Sequence, residues 1–127
     1  MINIASLLLG QNGIWGDLPG ISDEGVALFG EILGVYKTLR DDITSAGPVV
    51  YGRPGEALEV YEKINKKNGR GMVAVFTNQN GEYSYRLSSY SAENATVFGS
   101  VNMIRSDDAI ILRCEMDAPD AAIVFFG

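Results

Sequence analysis

Between residues 22 and 45 the apolar positions recur every three or four residues. Val26, Phe29, Leu33, Tyr36, Leu39 and Ile43 form one stripe on a helix that runs to about Ser45. Ser22 stands where an N-cap belongs, and Asp23 and Glu24 fill the first turn, where carboxylates favour the helix dipole. Gly47-Pro48 ends the helix. At ~1.5 Å per residue it is about 35 Å long. Gly30 and Gly34 lie one turn apart, each at a cost of roughly 1 kcal/mol of helix propensity against alanine. The pair predicts close approach of a neighbouring backbone. Ahead of the helix, the apolar run INIASLLL at 2–9 is too short to separate a strand from a buried helix. Residues 10–21 are punctuated by Gly10, Gly13, Gly16, Pro19 and Gly20, which predicts a loop.

After residue 48 the pattern changes. LEVYEKI, MVAVFTN, EYSYRLSS, ATVFGSVNMI, AIILRCEM and AAIVFFG are short, rich in β-branched and aromatic residues, and separated by turn signals. The Asn-Gly pairs in NKKNGRG and NQNGE predict hairpins, and SDD at 106–108 and DAPD at 117–120 supply later turns. Helix and strands do not alternate, so no βαβ repeat is expected. The expected fold is mainly β: an antiparallel β-sandwich of about six to seven strands preceded by one long N-terminal α-helix.

Composition narrows the chemistry. A length of 127 residues with 46% hydrophobic and 20% charged residues suits one globular domain. A net charge of −6 without a basic cluster argues against nucleic acid and anionic membranes as partners. The absence of histidine removes the commonest general base and a common metal ligand, so neither a metal nor a cofactor is expected. With one cysteine, Cys114, no intrachain disulfide forms; in its apolar strand it reads as inert core. The opening MINIASLLLGQNG is too short to span a bilayer and lacks the features of a signal peptide, which leaves the compartment open.

Few residues read as chemistry. Asp41-Asp42 and Asp107-Asp108 are sequence neighbours whose side chains point apart, so both pairs read as solvated surface. Nothing arranges two carboxyls across a sugar at the ~5–10 Å that glycoside hydrolysis needs. GQNGIWG lacks the lysine of a phosphate loop. Asn94-Ala95-Thr96 fits a glycosylation sequon, but with no secretion signal it reads as a chance match. Tyr83 and Tyr85, two apart on one strand, share a face. With Tyr61 or Tyr90 nearby they would make a sugar-stacking platform, although half-buried cross-strand packing is the commoner use of such a pair. Trp15, with Asp17 in its glycine-rich loop, reads as a contact with something outside the domain.

The phrases GIWGDL, YKTLRDDI and KNGRGMVAVF, together with the order of elements, resemble the C-terminal region of α-galactosidase-like (melibiase-type) glycoside hydrolases. In that family a catalytic (β/α)8 barrel is followed by an antiparallel β-sandwich. The resemblance implies that residues 1–47 correspond to the end of the barrel and its last outer helix, and 48–127 to the sandwich. The nucleophile and the acid/base of the family are aspartates on earlier barrel strands, so no position of this chain inherits either role. The resemblance therefore implies a non-catalytic sandwich region supporting a barrel this chain does not contain, as a fragment of a longer enzyme or a split product. Its helix face would pack on that barrel, fold onto the sandwich or self-associate. The alternative is a small carbohydrate-binding module using aromatics, with Trp15, Asp17, Tyr83 and Tyr85 as the contact candidates. An independent small enzyme is the weakest reading, since Lys, Tyr or Cys114 chemistry has no setting here.

Overall fold

A computed structural model describes residues 1–10, 20–89 and 92–127. Two helices precede eight strands: α1 (Ile2–Leu9), α2 (Asp23–Ser45), β1 (Val49–Tyr51), β2 (Leu58–Ile64), β3 (Gly71–Thr77), β4 (Gly81–Arg86), β5 (Ala95–Phe98), β6 (Val101–Ser106), β7 (Ala109–Met116) and β8 (Asp120–Phe126). The strands form a five-stranded sheet in the order β1-β2-β3-β8-β5 and a three-stranded sheet β4-β7-β6, with every pairing antiparallel. The mainly-β sandwich behind a long helix is thus the fold, with one strand more than the upper expectation: β1, only three residues between Pro48 and Gly52.

Each strand of the sheet centre has two working faces. On β3, Val73 and Val75 point between the sheets, while Met72 and Ala74 point the other way. On β8, Ala122, Val124 and Phe126 face the second sheet, while Ala121, Ile123 and Phe125 do not. The inter-sheet core is completed by Leu58, Val60, Ile110, Leu112 and Cys114. The opposite face is covered by Ile4, Ala5 and Leu8 of α1 and by Ile32, Tyr36, Leu39 and Ile43 of α2. The five-stranded sheet is therefore buried on both sides, which explains why β3 and β8 read as unbroken apolar runs rather than alternating ones.

The helix forms as its ends predict. Ser22 Oγ accepts a hydrogen bond from Gly25 N at 3.2 Å, and helix geometry stops at Ser45. The 2–9 run resolves as helix α1. Two details differ from expectation. Nothing lies within 4 Å of where a Cβ would stand on Gly30 or Gly34, so these glycines mark exposed helix and not a close backbone contact. The buried stripe is also rotated and shifted toward the C-terminus: Ile32 takes a central place, and Val26 is exposed.

The turn signals divide into two kinds. NKKNGRG closes a true hairpin, with β2 and β3 paired from Leu58↔Thr77 to Ile64↔Gly71, and SDD closes another between β6 and β7. NQNGE instead carries the chain from β3 in one sheet to β4 in the other. ATVFGSVNMI, which reads as one strand, breaks at Gly99-Ser100 into β5 and β6 of different sheets. Gly99 has φ +97°, and a Cβ there would stand 2.9 Å from Ala122 Cβ and 3.0 Å from Ala121 O, so the crossing is built for glycine.

α2 is clipped to the sheet at one end. Asp42 accepts hydrogen bonds from Asn65 Nδ2 (2.8 Å) and Asn68 Nδ2 (2.9 Å) of the β2–β3 hairpin, and Arg70 Nε lies 3.5 Å from its other oxygen. Arg70 also donates to the Thr38 carbonyl at 3.2 Å. Asp42 is thus a structural anchor, whereas its neighbour Asp41 is fully solvated as expected. The two Asn side chains and Arg70 hold the Asp42 carboxyl below its ordinary value.

Candidate functional site

Alternation along β2 puts Leu58, Val60, Glu62 and Ile64 toward the inter-sheet core and Glu59, Tyr61 and Lys63 toward the helix side. Register then sets Glu59 opposite Phe76, with Tyr61 one step along. The Tyr61 and Phe76 rings meet edge to face at 5.9 Å. The helices leave this end of the sheet uncovered, and a cleft of about 570 Å³ opens there. Ile2, Ser6 and Leu9 of α1 form one wall, Glu59, Tyr61 and Phe76 the floor, and Asn78, Pro119 and Asp120 the far rim. The volume falls in the usual range for a small-molecule site, roughly 300–1,000 Å³.

The polar groups of the cleft are held from behind. Glu59 Oε1 accepts from Gly55 N at 2.7 Å, and Oε2 accepts from the Tyr61 hydroxyl at 3.2 Å. Asn78 Nδ2 donates to the Gly55 carbonyl at 3.0 Å, which ties the 52–57 turn to the rim. Asp120 Oδ1 accepts from the next amide, Ala121 N, at 2.7 Å. Burial and the adjoining Glu59 carboxylate push the Tyr61 hydroxyl above its ordinary pKa, so it stays a neutral donor.

A second polar cluster is sealed inside the sandwich. Glu62, 2% exposed, is the single charged residue among the described buried positions. Tyr85 Oη donates to it at 3.2 Å and Ser88 N at 3.0 Å, and the Ser88 hydroxyl makes a further short contact. These donors replace the water that the carboxylate gives up on burial. They also lock the segment after β4 onto β2, across the two sheets. Burial and the Glu62 charge push the Tyr85 hydroxyl up to about 12. Cys114 is likewise buried, and its thiol is pushed up to about 11, far from a reactive thiolate at neutral pH.

Of the sequence candidates, Trp15 and Asp17 lie outside the described residues, as does Tyr90. Tyr83 and Tyr85 do share a face, but it is the inward one. Tyr85 is 8% exposed and stacks at a tilt on Tyr51, with ring centroids 5.7 Å apart. Tyr83 packs half-buried on the same core and donates its hydroxyl to the Gln79 carbonyl at 2.9 Å. They make cross-strand packing and not an outward platform. Asp108 sits in an exposed turn beside Arg86. Among the described residues no group of three or more metal-ligating side chains converges, and no helix is long and apolar enough to cross a membrane.

Sequence reasoning misses Glu59, Phe76 and Asp120 as cleft residues: the NKKNGRG turn pairs β2 with β3, but no turn places β8 beside β3. Glu62 did carry a signal: it is the charged residue on the apolar phase of LEVYEKI. Compared with protein-family models, with curated proteins and with solved structures, the chain matches none.

Proposed function

We propose that this chain is the non-catalytic β-sandwich region of an α-galactosidase-like glycoside hydrolase, and that it supports a catalytic barrel it does not itself contain. The observation that supports the reading is the unequal use of α2. Its C-terminal half is buried on the sheet through Ile32, Tyr36, Leu39 and Ile43. At 100° per residue, Leu28 lies about 50° and Val26 about 110° from the centre of that buried stripe; Leu28 is 38% and Val26 53% exposed, with Ile21 before the cap at 39%. The exposed apolar residues sit in the first turns of α2, directly after the stretch that resembles the end of a barrel.

The test is association with the catalytic barrel of an α-galactosidase-like enzyme produced without its sandwich. The chain alone is expected to hydrolyse no aryl α-galactoside. Mixed with the barrel it is expected to form a one-to-one complex and to raise the barrel's Tm. Val26→Glu with Leu28→Glu is expected to abolish the complex and leave the fold of the chain intact. Absence of any complex, with both partners folded, refutes the reading. A carbohydrate platform on Tyr83 and Tyr85 draws no support from their placement.

A further inference from the structure

The five-stranded sheet has two edges, and they are guarded differently. β1 is three residues long and follows Pro48, two features that keep foreign strands from pairing with it. β5, Ala95–Phe98, holds neither proline nor charge, and Val97 is 38% exposed. The phase of pairing sets what that edge offers. The Asn65 amide donates to the Arg70 carbonyl, so odd residues of β2 exchange hydrogen bonds with even residues of β3. Odd residues of β3 then turn to β8, and odd residues of β8 to β5. Thr96 and Phe98 therefore bond to β8, while the N–H and C=O groups of Ala95 and Val97 point outward. Among the described residues no strand pairs with that side of β5. The Asn94-Ala95-Thr96 sequon, a chance match on sequence alone, opens this strand. Asn94 and Thr96 are both exposed, and no described residue hydrogen-bonds the Asn94 side chain. Asn94 has φ +48°, in the left-handed region that asparagine tolerates, and so makes the turn into β5. It also lines two surface hollows, which leave room for bulk at this position.

We propose that Asn94 carries an N-linked oligosaccharide, and that this glycan caps the open edge of β5. The acceptor needs a free side-chain amide, a hydroxyl two residues on and no proline between them; Asn94, Thr96 and Ala95 meet those terms. The donor is a polyprenyl-diphosphate-linked oligosaccharide. Asn94 Nδ2 attacks the anomeric carbon of its first sugar. The C1–N bond forms as the C1–O bond breaks, the diphosphate leaves with the bonding electrons, and Nδ2 gives up one proton. Uncovered, the outward groups of Ala95 and Val97 are a template for the strand of a second copy. A bulky, hydrated group rooted at the first turn of β5 blocks that approach, as Pro48 does for β1. The inference is independent of docking on a barrel, because Val26 and Leu28 line neither hollow beside Asn94.

The experiment is production of the whole chain behind a cleavable secretory leader in a eukaryotic cell, followed by electrophoresis, peptide mass spectrometry and light scattering. Wild type and Thr96→Ser are expected to run as a glycoform above the bare chain. Peptide N-glycosidase is expected to collapse both to the bare mobility and to leave aspartate at position 94. Asn94→Gly, which suits the left-handed backbone, and Thr96→Ala are expected to carry no glycan, and a cooperative melt of each variant shows that it is folded. The bare Thr96→Ala chain is expected to self-associate at concentrations about tenfold or more below those of the glycoprotein. Adding Val97→Lys to it is expected to return it to the monomer. The proposal is overturned if wild type carries no glycan, if a glycan survives in Thr96→Ala, if glycosylated and bare chains associate alike, or if Val97→Lys leaves the association unchanged.

Discussion

Val73 and Val75 face a second sheet; Met72 and Ala74, their neighbours on β3, face two helices. The two faces of one sheet are closed in different ways. Between the sheets, apolar side chains from both layers interdigitate, and the one described buried charge, Glu62, is fully engaged by Tyr85 and Ser88. On the helix side, closure is partial. α2 is clipped to the β2–β3 hairpin through Asp42, α1 covers the centre, and among the described residues a cleft at one end of the sheet and the exposed side chains of Val26 and Leu28 on α2 remain. The contrast teaches where function can sit. A sheet-on-sheet core leaves no room, whereas cylinders laid on a twisted sheet leave both gaps and ends.

The comparison is broken most severely from the inter-sheet side. Phe126 is fully buried there, and Phe126→Ala is expected to cost about 3–5 kcal/mol in denaturant unfolding, enough to threaten folding altogether. Glu62→Ala strips the partner from the Tyr85 hydroxyl and Ser88 amide and is expected to cost ~3 kcal/mol. Glu62→Gln, which retains an acceptor, is expected to cost less than Glu62→Ala, and equal losses in the two melts would contradict the hydrogen-bonded account.

The helix side breaks more gently. Asp42→Ala is expected to cost about 2 kcal/mol by loss of charge-assisted hydrogen bonds. Its pH dependence has a definite sign. The folded carboxyl titrates below the ordinary 3.8, so its contribution is complete above about pH 4 and is lost as the pH falls through the lowered folded value. Wild type is expected to lose stability relative to Asp42→Ala across that acidic window, and parallel acid melts would count against the clip. The smallest effect has the opposite direction. Gly30 is exposed with open space around it, so Gly30→Ala is expected to stabilise by ~0.5–1 kcal/mol. Destabilisation there would restore the close-packing reading of the Gly30/Gly34 pair.

How far the fold was legible depends on what each signal measures. The α2 boundaries were readable because an N-cap serine, first-turn acids and Gly-Pro are all local. β2 and β7 were readable because their patterns lie within one segment. The NQNGE turn misled because Asn-Gly reports a reversal of the chain and not which sheet receives the next strand. β5 and β6 merged because a single glycine, Gly99, makes the crossing, and its reason lies against Ala122 on a distant strand. The rotation of the α2 stripe from Val26 to Ile32 was invisible for a similar cause: an apolar stripe longer than the sheet does not say which part is covered. The cleft was least legible, since the pairing of β2, β3 and β8 must be known before Glu59, Phe76 and Asp120 become neighbours.

The most direct test of the proposed role is amide hydrogen exchange along α2, measured on the chain alone and again with a sandwich-free α-galactosidase-like barrel. Slow exchange over 32–45 is expected in both samples, with faster exchange over 23–30 in the chain alone and protection of 23–30 gained when the barrel is added. Unchanged exchange over 23–30 in the presence of a folded barrel, or protection gained only elsewhere on the chain, would contradict the proposed role.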